Sequence, residues 1–541
     1  MRRVLFAARS AVALHRLLDV VPVFAGDARI ARCFTLVPGS DFGVDALAVV
    51  DALGGRVVPW EEACAGAYDL VVSASPKGEL ALLSGPHVLL PHGAGFSKTI
   101  RAEGSADSAS GLDPVYLRRA PIALHAMAHP DQVARLRAAG TGAASRARVV
   151  GDPTLDRLLA SRPLRDRYRA ALGTGSRRLL VLTSTWGPES LLHRRPDLPA
   201  ELAAELPYDE YQLALVVHPN EHSRLGAYDL AERLAPAFDA GLVLAAPREE
   251  WAAVLVAADA LVTDHGSTAL YFAGSAADDR PVVGVGSGGP ELIPGSPMDE
   301  LLRSVPVLGR GQEIRRALDA YRPGAARHAA EAAFAFPGRA LERLRAELYG
   351  LLGLTPAAAT SPRLLPSPAP ARRMPAAFDV HAGLIPDGVR VARHPVGLAP
   401  AGHHLAVEYG AAGEQVTLSA GVLYRRPLPS GAGWTSGGWT RHALDSYPGC
   451  RTAGVVQPCG DGVLRFRGRE LPYAVRIEAR VEADGRVSAV DPAVAVSAAH
   501  VWVAGHRDWD GGRVVFNCLV GEREFRVRLR EATEGEAGAA V

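Results

Sequence analysis

Three short turns carry the residues of this sequence best suited to chemistry. In PHGAGFSKT stand His92, Gly93, Gly95, Ser97 and Lys98. A histidine titrates near neutrality and can take a proton from a hydroxyl, and glycine lets backbone approach a ligand closely. Lys98 is one of only two lysines, the other being Lys77, among 59 basic residues, so its type stands out. A second turn holds His218, Pro219, Asn220, Glu221 and His222, where the proline fixes φ and steadies His218. The third holds Asp264, His265, Gly266, Ser267 and Thr268 and opens the helical run ALYFAGSAA. A strand end, a small polar turn and a helix N-terminus together aim N–H groups and a positive dipole end at one point, where phosphate is the natural guest. Each turn also has a plainer reading, in which His92 or His218 bonds its own loop and Asp264 or Ser267 caps the next helix.

Such turns need strands to hold them. Apolar runs occur at 4–8, 33–37, 70–74, 87–92, 123–129 and 147–153, with helical patterns between them. A second series follows at 179–185, 213–219, 242–247, 260–266 and 280–286. Strands alternating with helices at these lengths predict two tandem parallel sheets, a pair of Rossmann-like lobes covered by helices. A ligand then belongs in the cleft at the carboxyl ends of both sheets. From 355 to 377 the chain reads TPAAATSPRLLPSPAPARRMPAA, a Pro/Ala-rich linker expected to stay semi-extended without packing. Beyond it, HHLAVEY, EQVTLSAGVLY, YAVRIEARVEA and RVVFNCLVGEREFRVRLR alternate with period two and predict a mostly antiparallel β domain. The expected boundaries are 1–165, 166–354 with closing helices, a linker at 355–377, the β-rich accessory domain at 378–531 and a tail at 532–541.

Composition excludes several classes. Hydrophobic residues make up 48% and charged residues 22%, which argues against a disordered chain. A net charge of +1 leaves no electrostatic footprint for nucleic acid. No apolar run reaches the ~18 residues that span a bilayer, and Arg9, His15, Arg16 and Asp19 interrupt the apolar start as a leader core. Five scattered cysteines read as reduced thiols, so the expectation is a cytoplasmic protein. Gly284, Gly286 and Gly289 match G-x-G-x-x-G, but Pro290-Glu291 follow and the first strand has no such turn, which argues against a nicotinamide or flavin site. His125 and His129 lack a central glutamate, Cys450 and Cys459 lack zinc-knuckle spacing, and no P-loop is present. Trp434 and Trp439, like Trp502 and Trp509, fall in glycine-rich surroundings and read as core-closing turn residues ahead of sugar-stacking ones.

Taken together, the turns resemble the teichoic-acid glycerophosphotransferase (CDP-glycerol glycerophosphotransferase) branch of the GT-B nucleotide-dependent transferases, over roughly residues 80 to 350. His92-Gly93 with Lys98 resembles the family's His-Gly-Thr-Pro-x-Lys, whose histidine is taken as catalytic base. Gly151, Pro153 and Asp156 resemble its Gly-x-Pro-x-x-Asp lobe junction, and Thr185-Trp186 its Pro-Thr-Trp donor loop. His218-Pro219, then Asp264 and Ser267, resemble its phosphate-contacting His-Pro and Asp-Tyr-Ser-Ser elements. The chain departs from the pattern at Gly95, at His265 and Gly266, and at Tyr271, where the family has an acidic residue.

The resemblance implies an acceptor lobe first and a nucleotide-donor lobe second. The expected reaction transfers a glycosyl or polyol-phosphate group from a nucleotide-diphosphate donor to a hydroxyl acceptor, in cell-envelope or secondary glycan synthesis. His92 and Lys98 are the expected catalytic residues, with Thr185, His218, Asp264, His265, Gly266, Ser267 and Thr268 on the donor's phosphates. No cofactor and no metal are expected, because helix dipole and histidine replace a cation's charge. A lipid-linked acceptor and peripheral membrane contact are compatible with the resemblance. Two other readings stay open: a nucleotide-sugar epimerase or hydrolase using Asp264, Glu189 or Glu221, and a catalytically inactive binding protein.

Overall fold

The computed structural model describes residues 1–39, 50, 54–91, 93–94, 96–99, 109, 112, 117–118, 121–140, 142–247, 249–357, 359–427 and 433–541. His92 and Gly95 lie outside the described residues.

All eleven apolar runs of the first 350 residues become strands. The first sheet holds β1 (Arg2–Ala8), β2 (Ile30–Leu36), β3 (Leu70–Ser73), β4 (His87–Leu89), β5 (Ile122–Met127) and β6 (Ala147–Val149) in the order β2-β1-β3-β4-β5-β6. The second holds β7 (Arg178–Ser184), β8 (Tyr211–Val217), β9 (Val243–Leu244), β10 (Ala260–Thr263) and β11 (Val282–Gly284) in the order β11-β10-β7-β8-β9. Every pairing in both sheets is parallel. Strands such as Leu70–Ser73 and Ala260–Thr263 are buried along their whole length, as helices on both faces require. Strand order reverses beside β1 in one sheet and beside β7 in the other, so the turns leaving β1 and β3, and those leaving β7 and β10, diverge and open a crevice.

The lobes are not cleanly successive in sequence. Helix Ala340–Leu352, expected to close the second lobe, returns to the first, where Leu341, Leu344, Leu348 and Tyr349 join a core with Phe6 and Phe24. The junction motif explains the crossing. Asp156 Oδ2 accepts from the Leu341 N–H at 3.0 Å and so caps this returning helix. Gly151, at φ 95°, passes where a Cβ would meet the Ala335 carbonyl oxygen at 2.8 Å. Burial pushes the Asp156 carboxyl up to about 6 despite those backbone donors.

The linker does pack. Its backbone is irregular, but Leu365 is buried in the second lobe's core and its N–H bonds Ser161 Oγ at 3.0 Å. The Leu365 carbonyl accepts from Tyr168 Oη at 2.8 Å, and that of Arg363 from Arg157 Nε at 2.9 Å. A few well-placed carbonyls and one leucine hold a segment whose average composition suggested nothing to bury.

The C-terminal region is a closed barrel. Its nine strands are β12 (Ala377–Ile385), β13 (Gly388–Pro395), β14 (His404–Glu408), β15 (Val422–Arg425), β16 (Thr452–Val456), β17 (Asp461–Phe466), β18 (Tyr473–Ile477), β21 (Val514–Val520) and β22 (Arg523–Glu531). A two-stranded ribbon, β19 (Arg480–Val481) with β20 (Val487–Ser488), lies outside it. Six of its nine pairings are antiparallel, in line with the expected mostly antiparallel domain, while β13 with β21, β14 with β15, and β15 with β16 pair in parallel. Parallel pairs need crossovers, and helices between the strands, which the sequence did not reveal, supply two of them. Part of EQVTLSAGVLY forms helix Glu414–Leu418 before β15, and Ser436–Ser446 is helical with Trp439 buried. A third helix, Ala493–Gly505, is buried nearly all round and packs on β12, β13, β15, β16 and β18. Only Ser497 and His500 interrupt its apolar run, too few for periodicity to separate it from a strand.

The barrel is fixed to the second lobe through Arg393, which is fully buried. Its Nε and Nη2 donate to the Asp209 carboxylate at 2.7 and 2.6 Å, and Nη2 also reaches Asp491 Oδ2 at 2.8 Å. No helix among the described residues is long and apolar enough to cross a membrane.

Candidate functional site

A cavity of about 210 Å³ lies between the lobes, at the carboxyl ends of both sheets. The turn after β10 supplies Gly266, Ser267 and Thr268, the last opening helix Thr268–Ser275. That helix's first bonds run from Ala269 and Leu270 back to Gly266 and Ser267, so the N–H groups of Ser267 and Thr268 have no acceptor among the described residues. Ser267 stands at the N-cap but makes no capping bond, leaving its hydroxyl on the cavity wall. The turn after β8 supplies His218. Its Nδ1 accepts from the Asn220 N–H at 3.1 Å, which puts the ring proton on Nε2 and makes that nitrogen a donor. The turn after β7 supplies Thr185 and Trp186; Trp186 sits 6.3 Å from the His218 ring.

Asp264 does not face the cavity. Its Oδ2 accepts from the Thr185 and Leu191 N–H groups, each at 2.8 Å, and its Oδ1 from Gly266 at 2.9 Å. Burial pushes its carboxyl up, against His265 and these three donors. The expectation of a phosphate contact is corrected: an anion spent on three backbone groups shapes the turns that do the contacting. Gly266 fits closely beside it: a Cβ there would lie 3.2 Å from Asp264 Oδ1 and 3.3 Å from Thr185 Cβ, a tight approach.

His265 and Lys98 line the cavity, but both are held by a partner that the sequence did not point to. His265 is wholly buried, and its Nε2 meets Glu291 Oε2 at 3.0 Å. Lys98 Nζ pairs with the same oxygen at 3.0 Å, donates to the Trp186 carbonyl and lies 4.5 Å from the Trp186 ring centroid. Its cationic charge is therefore largely answered by Glu291. Around this pair the lobes join: the Thr99 N–H bonds the Glu291 carbonyl at 2.8 Å, and the Ile293 N–H that of Ser97 at 2.9 Å. The glycines at 284–289 serve this turn, since a Cβ on Gly288, at φ 70°, would meet His265 Cβ at 2.8 Å.

The first lobe's contribution is what sequence reasoning missed. Arg9, His15, Arg16 and Asp19, set aside as interruptions of an apolar start, all line the cavity, as does Lys77. They come from the turn after β1 and from helix Ala11–Val20, whose Ser10 cap accepts from the Ala13 N–H. Arg16 is the most telling. Its guanidinium lies 4.9 Å from the Tyr271 ring centroid and 3.9 Å from Asp152 Oδ1, too long for a hydrogen bond. Its Nη1 is buried without a hydrogen-bond partner among the described residues. Burial alone would lower its pKa, but Tyr271, Asp152 and Asp19 outweigh that and raise it. Tyr271, standing where an acid was expected, donates its hydroxyl to Asp152 Oδ2 at 2.8 Å, so a carboxylate is supplied from the junction motif. The available signal was a helix with three polar residues, His15, Arg16 and Asp19, interrupting its apolar face.

The other carboxylates near the cavity are spoken for. Asp19 and Glu249 both pair with Arg157, at 3.0 and 2.8 Å. Glu221 pairs with Arg224 and Glu189 with Arg194, and neither glutamate lines the cavity.

No protein-family profile and no curated protein sequence matches the chain. Among solved structures it is similar to the wall teichoic acid polymerase TagF, at 14% identity and a TM-score of 0.48, over 65% of this chain and 89% of that one. It is also similar to Anabaena Alr3699/HepE in complex with UDP-glucose, at 15% identity and a TM-score of 0.41, over 65% and 100% of the two chains.

Proposed function

We propose that the chain is a GT-B-type transferase that moves a glycosyl or polyol-phosphate group from a nucleoside-diphosphate donor to a hydroxyl acceptor. The observation that carries this reading is the cavity at both strand-order reversals, where the N–H groups of Ser267 and Thr268 and the buried cation of Arg16 converge from opposite lobes. Two donors and a desolvated guanidinium suit a pyrophosphate better than any neutral ligand.

In this reading Ser267, Thr268 and the Nε2–H of His218 hold the donor's phosphates and stabilise the charge that develops on the departing nucleotide. Trp251, Pro247 and Val216 give the second lobe an apolar wall for the base. His92, next in sequence to the cavity-lining Gly93, accepts the acceptor's hydroxyl proton. Lys98, held by Glu291, bridges the lobes and excludes water from that side. A setting in cell-envelope or secondary glycan synthesis, with an acceptor that includes lipid-linked hydroxyls, belongs to the same proposal. The epimerase or hydrolase reading needs an open carboxylate, and Asp264, Glu189 and Glu221 are each tied up or turned away.

A calorimetric panel of CMP, UMP, CDP, UDP, GDP and TDP against the whole chain tests the proposal. Saturable binding of one diphosphate, weakened at least tenfold by Ser267→Ala and by His218→Ala, is expected. Absence of binding to every nucleotide overturns the transferase reading and favours an inactive binding protein. With the donor known, His92→Ala should fold normally and lose turnover by ~10² or more; unchanged turnover removes His92 from the mechanism.

A further inference from the structure

We propose that the barrel holds one divalent transition-metal ion between His403, His404 and His500. The three residues are joined only by folding, since 96 positions separate His404 from His500. His403 and His404 enter β14 at one end of the barrel, and His500 projects from the enclosed helix Ala493–Gly505. One ligand nitrogen from each lies within 4.8 Å of the other two. Two nitrogens bound tetrahedrally to one ion at about 2.1 Å stand about 3.4 Å apart, so side-chain adjustments of no more than about 1.5 Å close the site. The exposed His403 is free to make one. The Nδ1 atoms of His403 and His404 are already 3.0 Å apart, near the ~3.4 Å edge of a tetrahedral zinc site.

The surroundings have the form that orients metal-binding imidazoles. His404 Nε2 is bonded to Ser497 Oγ at 2.9 Å, which leaves Nδ1 for an ion. His500 Nδ1 is bonded to Thr452 Oγ1 at 2.8 Å, which leaves Nε2. Both hydroxyls belong to buried residues, and Ser497 and His500 lie one turn apart on the same helix face. Outer-shell bonds of this kind fix ring orientation and tautomer in metal sites. Arg451 is a neighbouring charge that opposes a cation. An all-imidazole set with one open side suits zinc or copper, nickel and cobalt in their divalent states, and not magnesium or calcium, which take oxygen ligands. A bound ion would clasp the β14 entrance to the central helix.

The test uses the whole, tag-free chain, stripped with a chelator and titrated with Zn²⁺ by calorimetry, then with Co²⁺ by visible absorption. One ion per chain is expected, with a tetrahedral cobalt spectrum and a raised melting temperature. His403→Ala, on an exposed position, should weaken binding at least tenfold, and His500→Gln at least a hundredfold. His442→Ala, at a half-buried histidine outside the cluster, should leave binding unchanged. Loss of less than twofold in folded His403→Ala, or an octahedral cobalt spectrum, overturns the proposal and leaves a hydrogen-bonded histidine cluster.

Discussion

Arg16→Lys separates a guanidinium that binds from one that only balances charge. The native Nη1 has no hydrogen-bond partner among the described residues, and the nearest carboxylate oxygen is 3.9 Å away. The cost of burying this cation is thus met by attraction to Tyr271, Asp152 and Asp19, while its Nη1 stays unspent. A hydrogen bond to a charged group contributes about 1.5 to 3 kcal/mol, equivalent to about 10- to 150-fold in affinity. Lysine keeps the charge facing Asp152 and the Tyr271 ring but lacks the planar fork. We therefore expect Arg16→Lys to stay within about 1 kcal/mol of native stability yet bind the nucleoside diphosphate about 10- to 30-fold more weakly. Arg16→Gln should lie at the upper end of the range and show a shallower salt dependence. Calorimetric titration beside urea denaturation reads both quantities. Affinities within twofold of native in both folded variants would refute the argument, and Arg16 would then be only the counter-ion of Asp152.

Three further outcomes are expected. Arg393→Met should cost about 3 to 5 kcal/mol in urea at pH 7, because Asp209 remains buried without its cation and Asp491 keeps only Arg426. Burial opposes Asp491 ionisation, but Arg393 and Arg426 outweigh it and hold that carboxyl low. Its pairing therefore stabilises above the ordinary carboxylate range and fades as pH falls, and a deficit under 1 kcal/mol at pH 7 would contradict this. Burial pushes His125 down to about 3. The unfolded chain takes up that proton and the folded one refuses it, so stability is full above about pH 6.5 and falls towards pH 3, by at most about 5 kcal/mol. Denaturation from pH 7 to 4 should show a flatter slope in His125→Gln, and an unchanged slope would rule this out. Glu291→Gln should speed donor association several-fold in stopped-flow measurements, because it loosens Lys98 and His265 together; a slower rate would count against the bridge as an obstacle to entry.

The strands were legible because each is a short apolar run ended by a turn signal, and parallel sheets bury both faces. The cavity's second-lobe wall was legible for the same reason: Thr185, His218 and Ser267 directly follow strand ends. Partners were not. Glu291 stands 193 residues from Lys98, and nothing local says that the two will share a charge. Asp264 was identified as important but misassigned in role, since a sequence names a carboxylate without saying that three amides will occupy it. Arg16 was discounted because one polar residue in an apolar helix reads alike whether it breaks a pattern or faces a ligand. Helix Ala493–Gly505 was missed because burial on every side erases the periodicity that reveals helices.

The contact between 97–99 and 291–293 also sets how easily the two lobes part. Two backbone hydrogen bonds and a largely buried ion pair join them there. Parting them costs about 2 to 3 kcal/mol net. At equilibrium the parted form is then about one molecule in 30 to 150. Any donor that needs it binds more weakly by that same factor than the walls alone allow. Its affinity is therefore written partly at Ser97, Thr99 and Ile293, in backbone atoms that any side chain at those positions would supply.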